Sequence, residues 1–143
     1  MGVQARDSAN DRFAIIERLH RYSWGYDARD LDMLKESFTS NARMTISLQG
    51  TPGWGPFVGR EVIVDWMAGV MKTQSDQRRH SMTNVVFDEL TSAHAVVRSF
   101  LVLTAAEKDV VRLVTTGAYR VEAIRESDEW RISDLDLTLD APF

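Results

Sequence analysis

The sequence predicts an α+β protein: a curved, mostly antiparallel sheet wrapped around three N-terminal helices, with a central pocket between them. Three observations predict it. Apolar residues recur at helical spacing in three segments before about residue 73. One alternating segment, "ARMTISLQG", interrupts them. From about residue 79 onward the pattern becomes strand after strand, joined by short polar turns. Helices followed by an antiparallel run belong to the α+β class, not to a doubly wound parallel sheet.

The elements follow in order. Residues 1–10 are polar and read as a flexible N-terminus; 11–143 read as a single domain. Ser8 or Asn10 is placed to cap the first helix. That helix shows Ile15, Leu19, Tyr22 and Tyr26 in one stripe, widened by Phe13, Ile16, His20 and Trp24. Asp30 is placed to cap a short second helix with Leu31, Leu34 and Phe38 turned inward. Met44, Ile46 and Leu48 alternate with Thr45 and Ser47, which is a strand. "GTPGWGPFVG" is rich in glycine and proline and reads as a loop. A third helix spans about 60–73, with Val62, Ile63, Trp66, Met67, Val70 and Met71 apolar. Strands follow at roughly 79–90, 94–106, 110–125 and 129–139, separated by "LTSA", "AAEKD" and "RESDE". In the last, Ser133, Leu135, Leu137 and Leu139 share one face, while Asp134, Asp136 and Thr138 share a polar outer one.

Composition narrows the function. The chain has 143 residues, enough for one domain with a core and a cavity. Seventeen basic against 21 acidic side chains give a formal charge of −4. Nucleic acid is disfavoured for want of a basic footprint, and phosphate-rich substrates are disfavoured too. With no cysteine there is no disulfide, thiolate metal site or cysteine nucleophile. That fits a reducing, cytoplasmic setting. No segment reaches the roughly 18 apolar residues of a membrane span, and "MGVQARDSANDR" has no apolar signal region.

Among three histidines, His80 in "RRHSMTN" stands out. Alternation places His80, Met82, Asn84 and Val86 on one face, Ser81 and Thr83 on the other. The plain alternative is a buried histidine satisfied by a backbone carbonyl. Asp27 ends the first helix and points near its inward stripe. A carboxylate there opposes the helix dipole and calls for a partner. If Asp27 hydrogen-bonds one ring nitrogen of His80, it fixes the tautomer and leaves the other as a general base. Tyr22 or Tyr26 can then polarise a carbonyl or a leaving group. Asn84 is placed to bind substrate or to hold the pair. Trp24, Phe57, Trp66, Met67, Met71 and Met82 are candidate walls of an apolar pocket, although such residues are also ordinary core. The glycines of "GTPGWGPFVGR" lack both phosphate-loop and dinucleotide spacing. The histidines lack ligand spacing, so no metal and no cofactor are expected.

The segments "ERLHRYSWGYDARDLDMLKESFTSNARMTI", "FVGREVIVDWM", "RRHSMTN", "TTGAYRVEAI" and "EWRIS" together resemble the SnoaL-like branch of the NTF2-like superfamily. The pattern is Tyr-x-x-x-x-Asp before a short helix and His-x-x-x-Asn after the third. The resemblance implies a cone-shaped α+β barrel with a deep pocket, usually a homodimer or homotrimer. Relatives include polyketide cyclases, scytalone dehydratase, bile-acid dehydratase, hexachlorocyclohexane dehydrochlorinase and ketosteroid isomerase. Small subunits of ring-hydroxylating dioxygenases share the fold without catalysis. By position, the proton-abstracting Asp–His pair of the dehydratase and dehydrochlorinase groups falls on Asp27 and His80. Tyr22 matches the tyrosine of the bile-acid dehydratase motif, and Tyr26 with Asp27 matches a Tyr-Asp pair of scytalone dehydratase. Two departures stand out. "AVVRSFLVL" carries no second histidine, and Leu135 occupies the place of the dehydrochlorinase arginine, leaving Arg98 or Arg131 to supply that charge.

The expectation is a cofactor-independent lyase or isomerase acting on a small apolar cyclic or polycyclic carbonyl compound. Asp27, His80, Tyr22 and Tyr26 are the catalytic candidates. Two alternatives stand beside it. One is a ligand-binding or accessory subunit, in which Asp27 and His80 would lie too far apart to hydrogen-bond. The other is an aldol-type cyclase using a carboxylate without the histidine.

Overall fold

The structure is a computed structural model that describes residues 2–49 and 51–143, with side chains from Ser8 onward. Three helices come early: α1 (Gly2–Asp27), α2 (Leu31–Glu36) and α3 (Arg60–Met71). Six strands are β1 (Phe38–Leu48), β2 (Thr51–Val58), β3 (Gln77–Leu90), β4 (His94–Glu107), β5 (Val110–Glu126) and β6 (Glu129–Leu139). They form one sheet in the order β2-β1-β6-β5-β4-β3, antiparallel except for the parallel β1–β6 pair. The α+β class and the wrapped, mostly antiparallel sheet therefore hold. Among the described residues, no helix is long and apolar enough to cross a membrane.

The helices sit against the concave face. Ile15, Leu19, Tyr22 and Tyr26 of α1 are buried, as is Leu34 of α2. Ile63, Val64, Met67 and Met71 of α3 join them, facing Leu101, Leu103, Leu135, Leu137 and Leu139 of the sheet. The widened stripe does not follow: Phe13 and Trp24 are largely exposed, because the helix buries only the narrower arc. Leu31 is exposed as well, and Phe38 belongs to β1 rather than to α2.

Two boundaries differ from expectation. The backbone of residues 2–10 continues α1, so Ser8 and Asn10 lie within the helix and do not cap it; Met1 lies outside the described residues. "GTPGWGPFVG" is largely a strand, not a loop: β2 pairs with β1 through Val58, Phe57, Trp54 and Thr51, while Gly50 lies outside the described residues. As an edge strand, β2 hydrogen-bonds on one side only, so proline is tolerated. A Cβ on Gly53 would run into the carbonyl of Ile46, and Gly55 takes φ +92°. Glycine is what lets this strand lie so close to β1.

Candidate active site

The end of α1 sets the position of Asp27. Arg29 adopts φ 56°, and two backbone bonds close the turn: Arg29 N to Tyr26 O at 3.0 Å and Asp30 N to Gly25 O at 2.9 Å. This is a Schellman-type stop, here with a non-glycine residue in the left-handed position. Asp30 then caps α2 as expected, accepting from Met33 N at 3.0 Å. Gly25 permits the tight helix pair, since a Cβ there would lie 2.8 Å from Leu34 N. Asp27 is thus held on the last helical turn, buried and facing β3.

Its carboxylate grips His80 at two points. Oδ2 accepts the His80 backbone N–H at 2.7 Å, and Oδ1 lies 2.6 Å from His80 Nδ1. These contacts offset the cost of a carboxylate at a helix C-terminus. They place the proton on Nδ1 and leave Nε2, which makes no hydrogen bond among the described residues, as the basic nitrogen. The Tyr26 ring packs edge-on to the imidazole, with centroids 4.9 Å apart.

His80 stands between two spaces. On the inner side it borders a narrow cavity that opens to solvent at its mouth. The walls are mainly apolar: Ile46, Trp66, Met67, Leu101, Leu137 and Phe143. The polar lining comes from Tyr22, Tyr26, Gln74, Arg78 and His80. On the outer side it borders a groove with Ser23, Trp24, Asp27, Arg79 and Ser81. A few convergent polar groups in an apolar recess are what a small-molecule site needs.

The tyrosines differ. Tyr22 is fully buried, edge-on to both Phe38 and Tyr119, and burial pushes its hydroxyl pKa well up. Burial raises Tyr26 too, opposed by the nearby Arg78 charge. Tyr26 Oη donates to Gln74 Oε1 at 3.0 Å, so its proton is already committed. Tyr119 lies behind Tyr22, raised well above the ordinary range by burial, and its hydroxyl has no hydrogen bond of adequate geometry.

Several predicted site residues sit elsewhere. Asn84 does not share the face of His80. It takes φ 55° in a β-bulge, where three steps from Thr83 to Val86 match two from Phe100 to Arg98. The extra residue exposes Asn84 and Val86 and turns Val85 and Phe87 toward the core. Arg98 is on the outer face, bound to Asp88 at 2.6 and 2.9 Å. Arg131 is also outside, held by Glu129 and the carbonyl of Glu36. Neither arginine reaches the cavity. Trp24, 65% exposed, walls the outer groove instead of the inner pocket. Phe57 stacks behind Trp66 at 4.6 Å and braces it. Met71, Met82 and Leu135 are buried in the core behind the wall. His20 is exposed, and His94 lies between Glu89 and Glu122.

Arg78, Gln74 and Phe143 border the cavity and escaped the sequence reading. For Arg78 the signal was available. It lies two residues before His80, so extending β3 by one residue puts both on one face. Its Nε donates to Asp76 Oδ1 at 2.8 Å, while Nη1 is buried without an acceptor among the described residues. An unpaired buried donor of this kind costs about 1–3 kcal/mol or more. Among the described residues, no three His, Asp or Glu side chains converge as metal ligands.

With this geometry in place, the comparisons with known proteins are informative. The family model for the SnoaL-like domain matches residues 7–136. An NTF2-like protein with a cystatin-like fold from Novosphingobium aromaticivorans superposes with a TM-score of 0.81 at 20% identity, covering 92% of this chain and 82% of that one. LinA gives 0.82 at 18% identity, covering 96% and 91%. A candidate scytalone dehydratase from Novosphingobium aromaticivorans DSM 12444 gives 0.77 at 15%, covering 96% and 89%. At these identities the likeness carries the fold alone. No curated protein sequence matches significantly.

Proposed function

The chain belongs to the SnoaL-like domain family, and on that premise we propose that it is a lyase or isomerase working by proton abstraction, with no cofactor, on a small apolar cyclic or polycyclic carbonyl compound. The observation that carries this reading is the 2.6 Å contact between Asp27 Oδ1 and His80 Nδ1, with the imidazole on the cavity wall. His80 Nε2 takes a proton alpha to the carbonyl. Asp27 stabilises the imidazolium that forms, and Tyr22 hydrogen-bonds the developing oxyanion. The captured proton then returns elsewhere on the carbon frame in an isomerisation, or leaves with hydroxide as water in a dehydration.

The rival readings fit less well. An accessory subunit would show Asp27 and His80 apart. An aldol cyclase relying on a free carboxylate lacks one here, since both Asp27 oxygens are taken by His80.

Exchange of the alpha protons of β-tetralone in deuterium oxide, followed by proton NMR, tests the reading without knowledge of the true substrate. Wild-type protein should accelerate exchange, and His80→Ala should abolish the acceleration. Equal rates for both proteins would remove His80 as the base.

Self-association is likewise a proposal. Its support is a set of exposed apolar side chains on the β4–β5 pair: Phe100 and Val102 on β4, and farther along the pair Leu113 and Val111 on β5, opposite Thr104 and Ala106. A second copy of the chain is the proposed cover, and light scattering on the purified protein reads the mass directly.

A further inference from the structure

At the corner of the cavity around Arg78, one buried guanidinium nitrogen is left unsatisfied by its protein partners among the described residues. Arg78 is 8% exposed and borders the cavity. Its Nε is satisfied by Asp76, but Nη1 is buried with no acceptor. The second oxygen of Asp76 accepts from Arg112 Nη2 at 3.2 Å. Arg29 adds a third guanidinium, donating to the backbone carbonyls of Gln74 and Asp76. Two guanidinium groups thus share the Asp76 carboxylate, and a third binds the backbone beside it. Two more carboxylates lie nearby: Glu107, which accepts from Ser75 Oγ at 3.0 Å, and Asp27, which is committed to His80. The chain's formal charge of −4 gives no hint of this, because it averages over the whole surface.

We propose that the ligand of this cavity is an organic acid, a carboxylate on an apolar ring system, and that Arg78 Nη1 donates a charge-assisted hydrogen bond to its anionic oxygen. This rests on the cavity being the substrate site proposed above, but not on His80 being a base. A carboxylate there would accept from the unpaired donor. Arg78 and His80 lie two residues apart on one strand face, about 6.7 Å between their α-carbons. The acid group and the reacting carbon therefore bind along a single wall, with the rings against Trp66, Met67 and Leu137.

The test is a pair of matched probes, naphthalene carboxylate and its neutral carboxamide, titrated into the full chain by calorimetry. Wild-type protein should prefer the carboxylate by about tenfold or more. Arg78→Gln should erase the preference while still binding the carboxamide. Arg79→Gln, on the outer groove, should keep it. Absence of preference in the wild type overturns the proposal with no variant needed. A preference that survives Arg78→Gln, or that vanishes with Arg79→Gln, overturns it too. Should Arg78→Gln fail to fold, Arg78→Met, which removes both charge and donor, replaces it, and an undiminished preference there counts against the proposal. If selectivity follows Arg78 while His80→Ala leaves proton exchange unchanged, only the catalytic reading falls.

Discussion

Asp27 holds His80 by both the imidazole and the backbone amide of the same residue, at 2.6 and 2.7 Å. One carboxylate therefore fixes the ring's tautomer and also ties the start of β3 to the end of α1. The two tasks separate on substitution. Asp27→Asn retains an acceptor for the amide but loses the charge that stabilises an imidazolium. It should lower the rate of proton exchange by about 10²- to 10⁴-fold with the fold intact. Circular dichroism alongside the NMR exchange assay checks both halves. An Asp27→Asn protein that exchanges at the wild-type rate would mean the carboxylate has only a structural role.

The tyrosines should not be equivalent. Tyr26 has spent its proton on Gln74, whereas Tyr22 borders the cavity without such a commitment. Tyr22→Phe should therefore cost more, about 10²-fold in the exchange rate, by loss of an oxyanion donor. Tyr26→Phe should cost less than about tenfold. The reverse order would assign the oxyanion to Tyr26.

Buried tyrosines also make stability depend on pH at the alkaline end. Burial raises Tyr22 and Tyr119 above the ordinary value of 10.0. The folded chain then keeps protons that the unfolded chain releases. Their contribution is fully present below pH 10.0, and it is lost as pH rises through the higher folded values. Urea midpoints should fall steeply above that pH in the wild type and less steeply in Tyr119→Phe. Because the Tyr119 hydroxyl has no adequate partner, Tyr119→Phe should be neutral or stabilising near neutral pH, by up to about 1 kcal/mol. An unchanged alkaline slope would mean that Tyr119 ionises as freely folded as unfolded.

Much of this was legible in the sequence, and the exceptions share a cause. Helical and strand periods identified α1, α3 and the four C-terminal strands because each buries one face along its length. Helix-end and strand-face reasoning names Asp27 and His80 as a candidate pair, and the 2.6 Å contact joins them. Asn84 was misplaced because alternation assumes an unbroken pleat, and a bulge adds one residue without a distinctive motif. β2 was read as a loop because glycine and proline usually break strands, while an edge position beside a close neighbour requires the former and tolerates the latter. Arg98 was misplaced for a different reason: a missing charge invites a substitute, but parity on β4 turns Arg98 away from the cavity. Arg78 meets the same parity rule and is missed only because the sequence reading starts β3 at 79, two residues after its observed start at Gln77.

The bulge makes its own prediction. Asn84 adopts a left-handed φ of 55°, exposed and off the face of His80. Asn84→Gly should fold and exchange protons like the wild type, since glycine takes that conformation freely. Asn84→Val should destabilise by about 1–2 kcal/mol, because a β-branched residue is strained there. Loss of exchange in Asn84→Gly would instead show that the amide itself serves the site.

The edge strand links backbone packing to the cavity. Gly53 sits against the carbonyl of Ile46, and the next residue, Trp54, packs on Phe143 at 5.0 Å between ring centroids. Phe143 and Ile46 both border the cavity. Gly53→Ala cannot be absorbed by a side-chain rotation, because the obstacle is backbone. It should push β2 from β1 at a cost of about 1–3 kcal/mol. The displacement should also carry Trp54 away from Phe143 and loosen that wall, weakening naphthalene carboxamide binding while the Asp27–His80 contact, on the far side of the cone's sheet order, stays intact. Urea unfolding and the same calorimetric titration read the two effects separately. A destabilised Gly53→Ala protein with unchanged carboxamide affinity would show that β2 supports the fold without shaping the pocket.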